Sequence, residues 1–216
     1  MPATTASRRP LTSRDLPVFK NIAATLARAG VSPNAISFTS IVFGIAAGGA
    51  FAATAHTGGL ALRGCWLAAA AFIQLRLIAN LLDGMVAVEG RRGGPTGELW
   101  NEAPDRIADA AIFIGAGYAA GGSPLLGFAA ALLAVFVAYV RALGASVGAG
   151  QLFHGPMAKP HRMFVLTVLA VATAAVPALA GFHGMSIMLG VVIAGCVLTA
   201  TRRLRRTAAH LRSQAS

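Results

Sequence analysis

The chain has 216 residues, 56% of them hydrophobic and 12% charged, with a formal charge of +11 and a mean hydropathy of +0.68. Ordinary globular chains carry about 25% charged residues, so a soluble domain is excluded. Nucleic acid is a weak reading of the positive charge, because the basic residues lie in short segments between apolar runs, as in the positive-inside arrangement.

Residues 1–12, rich in Thr, Ser, Pro and Arg, read as disordered. The first thirty residues carry five basic side chains and no isolated apolar core with a cleavage site, so no secretory signal is expected. Arg14 to Ala29 fits an amphipathic helix with Leu16, Phe19, Ile22, Ala23 and Leu26 on one side. It would lie in the membrane interface or serve as an ordinary juxtamembrane segment. Ser32-Pro33-Asn34 is a helix start. Spans of about 20 apolar residues follow. The first runs over 35–55 and the second over 62–82. Arg76, inside the second, either faces the bundle or snorkels to the interface. The third runs over 98–120, the fourth over 125–145 with Arg141 near its end, and the fifth over 163–180, where Pro177 kinks or ends it. The sixth runs over 185–201, and a basic tail with Arg202, Arg203, Arg205, Arg206 and Arg212 suits lipid headgroups. Cys65 and Cys196 fall within spans, which argues against a disulfide.

The expected fold is therefore all-α and integral to the membrane: six transmembrane helices with an N-terminal amphipathic interfacial helix. It divides into 1–30 (N-terminal segment and interfacial helix), 31–201 (transmembrane domain) and 202–216 (basic tail). Basic residues of the N-terminal segment, of the Arg91–Arg92 and Lys159–Arg162 loops and of the tail share one side, and the other side shows only Arg63. That asymmetry makes both termini cytoplasmic, in the cell's inner membrane. Gly44-x3-Gly48 is a small-residue packing pattern. Packing within the chain is its default use, and a homodimer seam is the other.

The chain has seven acidic residues, and six lie close together: Asp83, Glu89, Glu98, Glu102, Asp105 and Asp109. Carboxylates beside a bilayer are costly and mark function. On a helix starting at Gly97, Glu98, Glu102, Asp105 and Asp109 fall on one stripe, with Asn101 at its edge; Pro104 could bend it. Asn80 and Asp83 share a face at the end of the preceding helix. Gly84, Ala87, Gly90, Gly93, Gly94 and Gly97 leave room for a ligand near the backbone. Two helix ends with oxygen ligands and a small-residue loop suit a divalent cation and phosphates. The plainer reading of Glu98, Glu102 and Asp109 is salt-bridging to Arg106 or Arg76.

The stretch Asn80–Asp105 resembles the CDP-alcohol phosphotransferase signature D-x2-D-G-x2-A-R-x8-G-x3-D-x3-D. Asp83, Gly84, Ala87, Gly97 and Asp105 match at the family's spacing over 26 positions without a gap. Asn80 and Asn101 stand where the family has Asp, and Val88 where it has Arg. Tyr139-Val140-Arg141-Ala142 and the stretch Gly155 to Arg162 resemble the family's YxRA and G-x3-R-x2-R segments, with Lys159 at an Arg position. The resemblance implies a membrane enzyme that transfers a phosphatidyl group from CDP-diacylglycerol to a small polar alcohol, of the glycerol 3-phosphate or inositol phosphate type, and releases CMP. It implies a magnesium or manganese site at Asn80, Asp83, Asn101 and Asp105; Glu98, Glu102 and Asp109, on the same helix stripe, could compensate for the two missing carboxylates. Asp105 is then the base, Gly84, Ala87 and Gly97 line the CDP site, and Arg141, Lys159 and Arg162 hold the acceptor. The plainer reading of Lys159 and Arg162 is positive-inside charge. The rival reading is a non-catalytic lipid- or nucleotide-binding homologue with a degenerate metal site. A transporter is disfavoured, because the ionisable residues lie at helix ends rather than at mid-membrane.

Overall fold

The computed structural model describes residues 15–90 and 96–215, without the side chains of Glu98, Asn101 and Ala215. Residues 1–12, Arg91, Arg92, Gly93 and Gly94 lie outside the described residues, and so do the expectations placed on them. Within the described residues the chain is all-helical: α1 (Pro17–Arg28), α2 (Pro33–Ala53), α3 (Gly59–Glu89), α4 (Gly97–Gly117), α5 (Pro124–Ser146), α6 (Lys159–Ala175), α7 (Ala178–Gly181) and α8 (Gly184–Ala215).

Local chemistry sets the ends. Ser32 caps α2 by accepting a hydrogen bond from the Ala35 amide at 3.1 Å, with Pro33 in the first turn. Pro177 lacks the amide needed to continue α6, which stops at Ala175. Proline 104 lies inside α4, yet α4 is one helix from Gly97 to Gly117. The basic tail continues α8 instead of leaving it, because Arg, Leu and Ala are good helix formers and no glycine or proline interrupts them.

Four helical stretches are long and apolar enough to cross a membrane: Pro33–His56, Gly59–Glu89, Pro124–Ser146 and Gly184–Gln214. This is the make-up of an integral membrane protein. The other two long helices fall short for different reasons. The first thirteen residues of α4 include Glu98, Glu102, Asp105, Arg106 and Asp109, and α6 has only 17 residues.

Six helices close into a ring in the order α2, α4, α5, α8, α6, α3, and α1 packs on α3. Phe19, Leu26 and Ala27 of α1 sit against the buried Ala23–Val86 cluster, while Leu16 and Ile22 are exposed. The α2–α4 contact is a backbone approach made possible by glycine. A Cβ on Gly44 would stand 2.6 Å from Ala108 Cβ, and one on Gly48 would stand 2.3 Å from Ala111 O. Gly44-x3-Gly48 is therefore used within the chain. Its effect is to set α4, with its acidic turns, against α2 and across from α3.

Candidate active site

The acidic half of α4 faces cationic and amide side chains from three neighbouring helices. Arg76 and Asn80 stand one turn apart on α3, Arg141 is on α5, and Lys159 and Arg162 open α6. Arg76 is fully buried, which overturns the snorkelling reading. Its Nη2 donates to Asp105 Oδ1 at 3.0 Å and lies 2.8 Å from Asp109 Oδ1. The second contact is an ion pair without hydrogen-bond alignment, since Asp109 Oδ1 has no hydrogen-bond partner. A buried guanidinium is costly unless it is paired, and Arg76 has two carboxylates beside it.

Asp105, 8% exposed, is the hub. Its Oδ1 accepts from Arg76 and from the Asn80 amide, and its Oδ2 accepts from the Lys159 ammonium. Arg106 lies 3.9 Å from Oδ2. Asp109, one turn further in, accepts from Arg162 Nη2 at 3.0 Å. Arg162 also donates to the Met157 carbonyl at 3.1 Å and is itself buried. It is thus no loop charge, and the positive-inside explanation fails for it. Nor is its guanidinium open to an acceptor while Asp109 holds it. Glu102 pairs with Arg106 on its own helix and with Arg141 across from α5. Arg141 also donates to Gln151 Oε1 at 2.8 Å and lies 5.5 Å from the Phe153 ring centroid, a cation–π distance. The salt-bridge reading therefore holds for Glu102 and Asp109.

Asp83 differs from these. It is buried at 4% exposure, its Oδ2 accepts from Ser37 Oγ on α2 at 2.7 Å, and its Oδ1 has no hydrogen-bond partner among the described residues. A buried unpartnered carboxylate oxygen calls for a cation or a donor. Hard oxygen donors suit magnesium or manganese. Asn80 presents Nδ2 to Asp105 here; turning the amide over would offer its oxygen. No three His, Cys, Asp or Glu side chains gather as a metal group among the described residues. The side chains of Glu98 and Asn101 lie outside them. Asp83, Asn80 and Asp105 are the described side chains here whose oxygens could hold a cation.

Of the small residues, Gly84 lines a cavity of about 500 Å³ between α1 and α3, with Lys20, Ala24, Met85 and Val88. Ala87 is half-buried on the next turn. Gly97 opens α4 with no described atom within 4 Å of where a Cβ would stand.

Ser37, Gln151 and Phe153 carry no motif, and sequence reading did not single them out. Arg203 is not part of a lipid-facing tail, although its place among the tail arginines leads one to expect it. It is 5% exposed and donates to the His154 and Val137 carbonyls at 3.1 and 3.0 Å, fastening the loop that precedes α6.

No protein-family model and no curated protein matches the chain. Solved structures do. The crystal structure of Mycobacterium tuberculosis phosphatidylinositol phosphate synthase with CDP-DAG bound aligns at a TM-score of 0.71 and 20% identity, over 89% of this chain and 94% of that one. This chain has the same fold. The synthase in complex with manganese and citrate aligns at 0.70 and 20%, over 88% of each chain. Its apo form aligns at 0.67 and 20%, over 86% and 94%.

Proposed function

We propose that this chain is a membrane enzyme of phospholipid synthesis. It transfers a phosphatidyl group from CDP-diacylglycerol to a small polar alcohol, of the glycerol 3-phosphate or inositol phosphate type, and releases CMP. The observation that carries the reading is the meeting of the two halves of the signature. Asn80 on α3 donates to Asp105 on α4, with Asp83 one turn further along α3. This occurs in a fold shared with a synthase solved with CDP-DAG.

In the proposed chemistry the Asp105 carboxylate accepts the proton of the acceptor hydroxyl. That oxygen attacks the phosphorus bearing the diacylglycerol, and the bond to the CMP oxygen breaks. Asp83, Asn80 and Asp105 would hold a magnesium or manganese ion, with Glu98, Asn101 and Glu102 nearby in sequence. Such an ion, when bound, supplies positive charge to the pyrophosphate and the departing CMP. Gly84, Ala87 and Gly97 give the nucleotide room beside the backbone. Arg141 and Lys159, both partly exposed, would meet an anionic acceptor. Arg162 holds the frame behind them.

The same reading makes α4 and α6 the third and fifth of six spans, with α1 in the interface. Both termini and the site then face the cytoplasm of the inner membrane, and the lipid tails enter from the bilayer. It keeps the 1–30, 31–201 and 202–216 division and leaves homodimer formation to be tested. The test of function is CMP release from labelled CDP-diacylglycerol with a panel of acceptors and divalent metals. Release with one acceptor supports the proposal. Silence with all of them supports the non-catalytic homologue.

A further inference from the structure

Asp109 lies one helical turn beyond Asp105 on the same stripe of α4 and is 3% exposed. Two buried guanidiniums bracket it, Arg76 at 2.8 Å and Arg162 at 3.0 Å. Each of them leads back to Asp105. Arg76 donates from the same Nη2 to Asp105 Oδ1 at 3.0 Å and to the Asp105 carbonyl at 3.3 Å. Arg162 fixes the first turn of α6 through the Met157 carbonyl, and from that turn Lys159 reaches Asp105 Oδ2. Both cations that hydrogen-bond to Asp105 thus come from elements that Asp109 ties to α4.

The plain reading is a buried ion cluster that holds three helices together. The donors of Arg76 do not fit it. Most buried guanidinium N–H groups are hydrogen-bonded. Here Nε and Nη1 have no hydrogen-bond partner among the described residues, and Nη2 sits between two carboxylates. The arginine is shared rather than satisfied, and Asp109 is what shares it.

We propose that Asp109 is a positioning residue. By drawing on Arg76 and anchoring Arg162, it keeps Asp105 oriented between Arg76 on one oxygen and Lys159 on the other. Without that charge Arg76 shifts wholly onto Asp105, and the carboxylate turns away from the orientation in which it meets the acceptor hydroxyl. The inference rests on the proposed role of Asp105 as proton acceptor.

The test uses the full chain in detergent, as wild type, Asp109→Asn, Arg162→Gln and the double variant. Thermal midpoint, kcat and the KM for CDP-diacylglycerol are read for each. Asp109→Asn should lower the midpoint and lower kcat by about tenfold or more, with KM unchanged, as for loss of one charge-assisted contact. The double variant removes one of the unmatched cations. It should regain the midpoint while kcat stays low. Recovery of kcat together with the midpoint would make the role purely structural and overturn the proposal, as would wild-type kcat in Asp109→Asn. Should the single variant fail to fold, the double variant decides on the same criterion. A wild type that releases no CMP overturns the proposed activity and this inference together, whereas the other adverse results, with an active wild type, overturn only this inference.

Discussion

The ammonium of Lys159, at the start of α6, pairs with Asp105 Oδ2 on α4, across 54 residues of sequence. That contact joins the second basic segment to the acidic signature. Three residues later on α6, Arg162 pairs with Asp109 and is buried. Two basic residues of one segment therefore have different prospects.

Replacing Lys159 with Ala should raise the acceptor's KM far more than the donor's. One charge-assisted contact is worth about 1.5–3 kcal/mol, or roughly 10- to 150-fold. Arg162→Ala should act on stability instead, because it leaves Asp109 short of a partner in a buried site. Breaking a buried pair costs about 3–5 kcal/mol. Acceptor kinetics and thermal unfolding of both variants check the division. Equal effects of the two on acceptor KM, with no loss of stability, would refute it.

Close packing of α2 on α4 should be as sensitive as its geometry implies. At Gly48 a Cβ would come within 2.3 Å of the Ala111 carbonyl oxygen, a backbone atom that cannot swing away. Gly48→Ala should therefore destabilise the bundle by about 1–3 kcal/mol, the usual range for overpacking. Gly49→Ala, with nothing within 4 Å of the added carbon, should be close to neutral. Thermal unfolding of the two variants in the same detergent makes the comparison.

Orientation can be read with single cysteines. After replacement of Cys65 and Cys196, Ser123→Cys in the turn before α5 should label with an impermeant thiol reagent from outside intact cells. Ala209→Cys, exposed on the basic end of α8, should label only after the membrane is opened. The basic-residue asymmetry predicts this pattern. The reverse pattern would place the site on the other face.

Parts of this arrangement are written in the sequence because they are local. Ser32-Pro33 caps α2 and Pro177 ends α6 through chemistry confined to a few residues. Asp83 and Asp105 stand out by their resemblance to a family signature, and the acidic stripe of α4 follows from the helical period. What could not be read depends on which helix faces which. Arg76 is one turn before Asn80, so its face was legible, but the carboxylates that make its burial tolerable arrive from α4. Ser37 belongs to a helix 46 residues from Asp83 in sequence. Arg203 looks like any tail arginine until α8 continues as a helix and brings it under the loop before α6.

Restoring a carboxylate at one of the asparagines offers a direct probe of the cation. Asn101→Asp should tighten manganese binding, because it adds a negative charge near the ion. Asp83→Asn should abolish binding, since it removes the charge behind the buried, unpartnered Oδ1. Binding of manganese to the purified protein, followed by loss of its free-ion paramagnetic signal, measures both. Unchanged affinity in both variants would move the cation elsewhere.

The central claim is that Asp83 and Asp105 carry a phosphatidyl transfer. The measurement that tests it most directly is CMP release from labelled CDP-diacylglycerol by wild type, Asp83→Asn and Asp105→Asn, with the acceptor and metal that serve the wild type best. The account predicts release by the wild type and its loss in both variants, with manganese binding lost in Asp83→Asn and partly kept in Asp105→Asn. Wild-type rates in both variants would contradict it. So would a silent wild type that gains activity only when Asn80→Asp and Asn101→Asp are combined, since the natural chain would then be a degenerate enzyme.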